Sequence, residues 1–163
     1  MSEASLTHLL WQRLNESPYL MVGISGQDTH SEPMSALFDD GPAAELYFFL
    51  KKENRLWRGL ESGKRSVMLQ YAAKGHDFFA CLSGRLEAVH DPKLVDRHWS
   101  ENVAAWFDGR DDPQLAMVRV RLEDGELWSA DLSTRGKLKL MVAGRLDPSE
   151  LETDRAEVTF AGN

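Results

Sequence analysis

The chain has little of what many catalytic and metal sites are built from. Cys81 is its only cysteine, so an internal disulfide and a cysteine-based zinc site are both excluded. None of the five histidines forms a His-Glu-x-x-His pair, and the chain has no glycine-rich nucleotide loop and no Gly-x-Ser-x-Gly elbow. We therefore expect no metal site, and the catalytic residues are unknown at this stage.

The chain also lacks an excess of positive charge and a long apolar run. Its formal net charge is −7, which disfavours general binding to nucleic acids or acidic membranes because both present phosphates. The longest strongly apolar run, Leu46 to Leu50, is far shorter than the roughly 20 residues of a spanning helix. We expect no nucleic-acid or membrane partner and a location in the reducing cytoplasm.

Apolar periodicity predicts a mainly β protein with short helices. Amphipathic helices are predicted over residues 7–15 and 54–62, and Asp91-Pro92 predicts the start of a third helix that continues towards Trp106. Apolar or alternating runs predict strands at residues 19–25, 33–38, 45–50, 67–71, 78–89 and 117–122.

Turn residues predict how these strands are connected. Gly26-Gln27-Asp28 predicts a hairpin between the first two strands, and Asp124-Gly125 predicts another that returns as a strand over residues 127–132. Gly84 predicts a bulge or a bend in the fifth strand. Six or seven short strands with close spacing favour an antiparallel barrel.

The length of 163 residues is most simply a single domain. We expect a core over residues 5–145 and a polar, loosely attached tail over residues 146–163. The expected core includes three tryptophans on apolar helix stripes, which are Trp11, Trp57 and Trp99. The pair Trp106-Phe107 beside Asp108-Gly109 is typical either of a subunit interface or ligand wall, or of the core.

The segment from Tyr47 to Leu56 is the best candidate for a binding site. Its aromatic run ends at Lys51-Lys52, and a helix is then predicted with Asn54 as cap and Arg55 in its first turn. Cations beside unpaired helix N–H groups suit a phosphate. The same pattern is also typical of a buried strand followed by a solvated helix start.

The order of several segments resembles a known family. They are His30-Ser31-Glu32-Pro33-Met34, Leu46 to Phe49, Arg55-Leu56, Ser66 to Tyr71, Leu82 to Glu87 and Ala105 to Pro113. The pattern is similar to the pyridoxamine 5′-phosphate oxidase-like, FMN-binding split barrels, and within them to the general stress protein 26 group. The resemblance implies a six-stranded antiparallel split β-barrel, an α+β fold with short helices, which forms a homodimer. It also implies one FMN in each of two clefts at the subunit interface.

The resemblance also implies which residues hold the flavin. Arg55 takes the place of the cation that holds the phosphate, and the partner subunit supplies Trp106. The full implied set is Met34, Ser35, Phe49, Leu50, Lys51, Arg55, Leu56, Gln70 and Trp106. Bound flavin would make the protein a possible flavin-dependent oxidoreductase, although no general acid or base is evident.

The chain departs from the family pattern at two positions. Glu32 stands where the family often has arginine, and Leu50 stands where it often has threonine or serine. Lys51, Lys52 and Arg58 are candidates to compensate for the lost phosphate contacts. The departures favour, as an alternative, a flavin-free stress or interaction protein that keeps the dimeric barrel.

A further alternative is that the cleft holds another ligand, such as FAD, F420 or haem. Haem would take His30 or His76 as its ligand. The chain lacks the C-terminal Arg-x-His-type motif of true pyridoxamine phosphate oxidases, which argues against a role in vitamin B6 synthesis.

Overall fold

The computed structural model describes residues 1–41, 43–130 and 153–160. Four helices and seven strands occur in this part of the chain. In chain order they are α1 (Glu3–Glu16), β1 (Tyr19–Ile24), β2 (Glu32–Ser35), β3 (Glu45–Lys51), α2 (Arg55–Glu61), β4 (Ser66–Ala72), β5 (Phe78–Ala88), α3 (Pro92–His98), α4 (Glu101–Ala104), β6 (Leu115–Ala130) and β7 (Thr153–Thr159).

The strands form one antiparallel sheet that curls into a barrel. Six strands follow the order β2-β1-β4-β5-β6-β3, and β7 pairs with β6 outside this path. A bridge between Leu37 and Tyr47 links the chain after β2 to β3, with N–H···O distances of 2.8 Å and 2.7 Å. The two ends of the six-strand path therefore meet, as a barrel requires. The mainly antiparallel class is confirmed, with one strand more than the predicted six.

Helix α1 packs against β5, β6 and β7 of the barrel. Its buried residues Leu6, Leu10 and Leu14 recur at every fourth position and join the hydrophobic core, as an amphipathic helix requires. The helix begins earlier than predicted because the Ser2 hydroxyl accepts a hydrogen bond from the Ser5 N–H and caps it. The predicted cap, Thr7, lies inside the helix.

The predicted hairpin at Asp124-Gly125 is wrong. Both residues lie inside β6, which runs for 16 residues without a turn. At this point β6 is paired on both edges, since Gly125 lies opposite Leu82 of β5 and Val158 of β7. A continuous ladder satisfies more backbone groups than a turn would. The β5–β6 pairing shifts register between Ser83 and Gly84, at the predicted place, but the extra residue is Glu123 of β6 and does not lie in the fifth strand.

The prediction of a loosely attached tail is wrong for residues 153–160. Strand β7 pairs with β6 over seven residues, and Val158 and Phe160 are buried in the core. Alternating apolar residues therefore anchor a segment whose overall composition is polar. Residues 131–132 of the predicted returning strand and residues 146–152 and 161–163 of the predicted tail lie outside the described residues.

The third predicted helix does not continue to Trp106. It ends at His98, with Trp99 as its C-cap, and a separate short helix, α4, begins after the cap Ser100. The three tryptophans expected in the core are only partly buried. Trp11 and Trp57 are partly buried and pack against the core.

Candidate functional site

A cleft lies between the β1–β2 hairpin and helix α2. Its volume is about 260 Å³, and it is open to solvent. It is lined by Val22, Gly23, Ile24, Gln27, Thr29, His30, Glu32, Arg55, Leu56, Arg58, Gly59 and Ser62. The loop of the hairpin and one face of the helix therefore form opposite walls.

Helix α2 is fixed in place by its cap and by a glycine. The Asn54 Oδ1 accepts a hydrogen bond from the Leu56 N–H at 2.8 Å, so the helix begins at a defined residue. A Cβ atom added at Gly59 would lie 2.9 Å from Ile24 Cδ1. The absence of a side chain at Gly59 thus lets the helix lie directly against β1.

One face of α2, together with the C-cap residue Ser62, presents four residues to the cleft. The residues that line the cleft are Arg55, Arg58, Gly59 and Ser62. The last three follow Arg55 by three, four and seven positions, the spacing that places residues side by side on a helix surface. Leu56 and Leu60 are buried in the core. The same helix thus supplies two cations to the cleft and two leucines to the core.

Glu32 faces Arg55 across the cleft. The Arg55 Nε lies 3.6 Å from the Glu32 Oε1, and the Asn54 Nδ2 donates a hydrogen bond to the Glu32 Oε2 at 2.8 Å. Arg55 also donates a hydrogen bond to the carbonyl oxygen of His30, at 3.3 Å. The hairpin and the helix are therefore connected by polar contacts at the mouth of the cleft.

The charged lining of the cleft consists of two arginines and one glutamate. Arg55 and Arg58 are exposed, whereas Glu32 is half-buried. With histidine counted as neutral, the charged side chains of the lining carry a net charge of +1. The formal net charge of the whole chain is −7. An anionic group is the ligand chemistry that such a local reversal of charge favours.

Only two of the nine residues implied by the resemblance line this cleft, and they are Arg55 and Leu56. Met34 and Leu50 are buried in the core. Ser35, Lys51 and Gln70 are exposed. Within one chain, the implied set is not gathered in a single cleft.

The two implied aromatic residues lie near helices α3 and α4. Phe49 packs edge-on against Trp99, with ring centroids 5.8 Å apart. The ring centroids of Trp99 and Phe107 are 6.3 Å apart. Trp106, the residue before Phe107 in the chain, is 75% exposed. It is therefore available to a second molecule, and its predicted role stays a prediction.

A second feature is an exposed apolar surface on strands β1, β4 and β5, which we call the outer face. It carries Tyr19, Met21, Met68 and Phe79, each between 37% and 66% exposed. Gln70 lies among them, paired with Met21 on one side and with Cys81 on the other. Burial raises the pKa of the Cys81 thiol, so this side chain contributes to the face as a neutral group.

Sequence reasoning missed several lining residues. Gln27 and Thr29 lie in a hairpin loop, where no periodicity marks a side chain that faces inward. Gly59 and Ser62 follow Arg55 at helical spacing, and this spacing is sufficient to predict that they lie on the same face as Arg55. In the described ranges, no group of three or more His, Cys, Asp or Glu residues is placed to hold a metal ion.

A family model described as pyridoxamine 5′-phosphate oxidase like matches residues 6–151 of the chain. The chain belongs to this family. General stress protein 26 of Bacillus subtilis (strain 168) is 30% identical over 113 residues, which cover 68% of this chain and 79% of that protein. The resemblance inferred from the sequence is thus confirmed.

Solved structures in the family share the fold of this chain. A general stress protein 26 from Jannaschia sp. CCS1 superposes with a TM-score of 0.77 at 29% identity, covering 96% of this chain and 99% of the other. The general stress FMN/FAD binding protein of Xanthomonas citri gives a TM-score of 0.71 at 36% identity, with 80% and 92% covered. The barrel is therefore a pyridoxamine 5′-phosphate oxidase-like split barrel.

No helix in the described residues is long and apolar enough to cross a membrane.

Proposed function

We propose that the protein is a homodimer that binds a flavin, FMN or FAD, with the anionic end of the ligand in the cleft at Arg55. The observation that carries this proposal is the pair of arginines on the cleft face of α2, in a chain that otherwise has excess negative charge. The name of the Xanthomonas citri relative, an FMN/FAD binding protein at 36% identity, supports it.

The residues of the cleft fit one end of a flavin. Arginine forms strong, charge-assisted hydrogen bonds with phosphate, and the side chains of Arg55 and Arg58 are both exposed. The volume of about 260 Å³ is below the roughly 300–1,000 Å³ of pockets that enclose a whole drug-sized ligand. The cleft of one chain therefore suits the phosphate and its linker, and the flavin ring needs a further surface.

A second copy of the chain would supply that surface. The outer face exposes Tyr19, Met21, Met68 and Phe79 on neighbouring strands, and contiguous exposed apolar residues are typical of interaction sites. Burial against an identical face would remove these side chains from water. Trp106 is then a candidate to contact the ligand held by the partner.

Bound flavin would supply the redox chemistry, and the protein would supply position and electrostatics. Arg55 would anchor the ligand through its phosphate, away from the reacting ring. We propose a flavin-dependent oxidoreductase activity for the loaded dimer, with a substrate that the chain does not specify. The single cysteine suits a reducing compartment, so we place the protein in the cytoplasm.

Flavin binding is tested by the visible spectrum of the purified protein and by titration with FMN. Wild-type protein should quench flavin fluorescence at micromolar concentration, and Arg55→Gln should weaken binding by roughly tenfold or more, since a charge-assisted hydrogen bond is worth about 1.5–3 kcal/mol. Lys93→Gln removes one positive charge from α3, outside the cleft, and should leave binding unchanged. Absence of quenching by the wild type would overturn the proposal.

The dimer is tested by size-exclusion chromatography with light scattering. Met21→Asp and Met68→Asp place a charge in the outer face and should shift the protein towards the monomer. Gln12→Asp adds the same charge at an exposed position of α1 and should not. A wild-type monomer at micromolar concentration would contradict the proposed assembly.

A flavin-free stress or interaction protein is the second candidate. The contact between Glu32 and Arg55, at 3.6 Å, favours it because the carboxylate partly neutralises the cation that a phosphate needs. Leu50, the other departure from the family pattern, is buried in the core and does not line the cleft. A dimer that binds neither FMN nor FAD would support this candidate.

A further inference from the structure

We propose that Glu32 determines which ligands the cleft prefers. Its carboxylate reduces the affinity for a ligand that ends in a phosphate, relative to the affinity for the same ligand ending in a hydroxyl group. This inference rests on the proposed flavin binding and names the ligand property that the cleft selects. It is carried by the position of Glu32, by the residue that holds its carboxylate, and by the cation that it faces.

The strand dictates where the Glu32 side chain points. Side chains alternate between the two faces of β2, and Pro33 and Ser35 are exposed while Met34 is buried. Glu32 shares the inner side with Met34 and lies opposite the buried Val22 of β1. Its carboxylate is thereby directed towards α2 and not into open solvent.

Asn54 holds the carboxylate in this position. Its Nδ2 donates to the Glu32 Oε2 at 2.8 Å, while its Oδ1 accepts the N–H of Leu56 as the cap of α2. The side chain that binds Glu32 is therefore itself fixed by the helix. The Glu32 side chain is 29% exposed, so solvent screens its charge less than it would screen the charge of a fully exposed side chain.

The carboxylate of Glu32 competes with a ligand phosphate for Arg55. A phosphate monoester carries about −1.5 to −2 charges at pH 7, so it would be attracted by Arg55 and Arg58 and repelled by Glu32. A hydroxyl group carries no charge, and it can donate a hydrogen bond to the carboxylate. The site therefore gives a phosphate a smaller advantage over a hydroxyl than two arginines alone would give.

FMN and riboflavin differ only in the terminal phosphate, so the ratio of their dissociation constants isolates this effect. Both are measured by fluorescence quenching at low ionic strength with the wild type, Glu32→Gln and Glu61→Gln. Glutamine keeps the size of Glu32 and an acceptor for Asn54. Glu61→Gln makes the same change of charge at the exposed end of α2, outside the cleft lining.

We expect the dissociation constant of riboflavin divided by that of FMN to be roughly tenfold higher for Glu32→Gln than for the wild type. This change is equivalent to about 1.4 kcal/mol. Glu61→Gln should change the ratio less than about twofold. Added salt should reduce the difference between wild type and Glu32→Gln, since screening weakens the repulsion.

An unchanged ratio in Glu32→Gln would overturn the inference, and so would an equal rise in both variants, which would indicate a general charge effect. Both results leave flavin binding itself intact. Failure of all three proteins to bind either ligand, with normal thermal unfolding, would instead overturn the proposed function and this inference with it.

Discussion

The guanidinium of Arg119 donates two hydrogen bonds to one carboxylate oxygen of Glu87, from Nε at 3.2 Å and from Nη2 at 2.7 Å. The two residues are paired across β6 and β5, and Arg121 places its Nε 3.3 Å from the same oxygen. The hydrogen bond from Arg119 holds the pKa of Glu87 below its ordinary value of 4.5, against the opposing effect of burial.

Replacing Glu87 by glutamine should lower the free energy of unfolding by about 1 kcal/mol at pH 7. Because the folded-state pKa is depressed, this stabilisation is fully present above pH 4.5 and is lost as the pH falls through the folded-state pKa. Urea denaturation at a series of pH values should therefore show the two proteins converging below pH 4.5. Glu123→Gln, at an exposed position of β6, should match the wild type throughout. A gap that does not change with pH would contradict this assignment.

His98 stacks on Tyr47, with ring centroids 4.8 Å apart and an interplanar angle of 28°. Its Nε2 lies 3.5 Å from an Asp39 carboxylate oxygen. Burial lowers the pKa of His98 below the ordinary 6.5, and Arg97 lowers it further, while Asp39 raises it. The folded protein therefore favours the neutral ring, packed between helix α3 and the barrel.

Because of His98, the free energy of unfolding should decrease as the pH is lowered from 6.5 to the lower pKa of His98 in the folded state. In this range the unfolded chain takes up a proton at His98 that the folded chain does not, so unfolding is favoured as the pH falls. His98→Gln should lose less stability than the wild type between pH 7 and pH 5, measured by urea denaturation. His8→Gln, at an exposed position of α1, should follow the wild-type curve. Parallel curves for wild type and His98→Gln would contradict the role of this ring.

The local signals in the sequence predict most elements of the fold. Asn54 and Asp91 cap the helices that they are expected to cap, and the β5–β6 register shifts at Gly84 as expected, although the extra residue lies on β6. These features depend on hydrogen bonds and sterics within a few residues, so they are readable from the sequence. The hairpin at Asp124-Gly125 fails because pairing with β5 and β7, which are distant along the chain, overrides the local turn preference.

The candidate site is predictable only in part for the same reason. Arg55 and Leu56 follow from the end of a strand and the start of a helix, which lie side by side in the sequence. Their partners across the cleft, Glu32 and His30, are 23 or more residues away and reach the cleft through the β1–β2 hairpin. The contact between Glu32 and Arg55 depends on the geometry of that hairpin against α2, which no local pattern specifies.

Gly125→Ala should destabilise the fold by about 1–3 kcal/mol, which is typical of overpacking. A Cβ atom at this position would lie 2.8 Å from the carbonyl oxygen of Cys81 and 2.7 Å from Leu82 Cδ2. The backbone oxygen cannot move away without breaking the ladder between β5 and β6. Gly41→Ala is the matched control, because nothing lies within 4 Å of its added Cβ atom. Equal thermal stability of the two variants would argue for a flexible turn at Asp124-Gly125.

Phe160→Ala tests whether the end of the chain belongs to the core. Phe160 is buried, and its N–H donates a hydrogen bond to the Glu123 carbonyl oxygen at 2.9 Å. Truncating a buried phenylalanine leaves a cavity and should lower the free energy of unfolding by about 3 kcal/mol. Thr159→Ala, one residue earlier and exposed, should lower it by about 0.5 kcal/mol or less. Two variants of equal stability in urea denaturation would mean that β7 is not part of the cooperative fold, as the polar composition of the tail predicts.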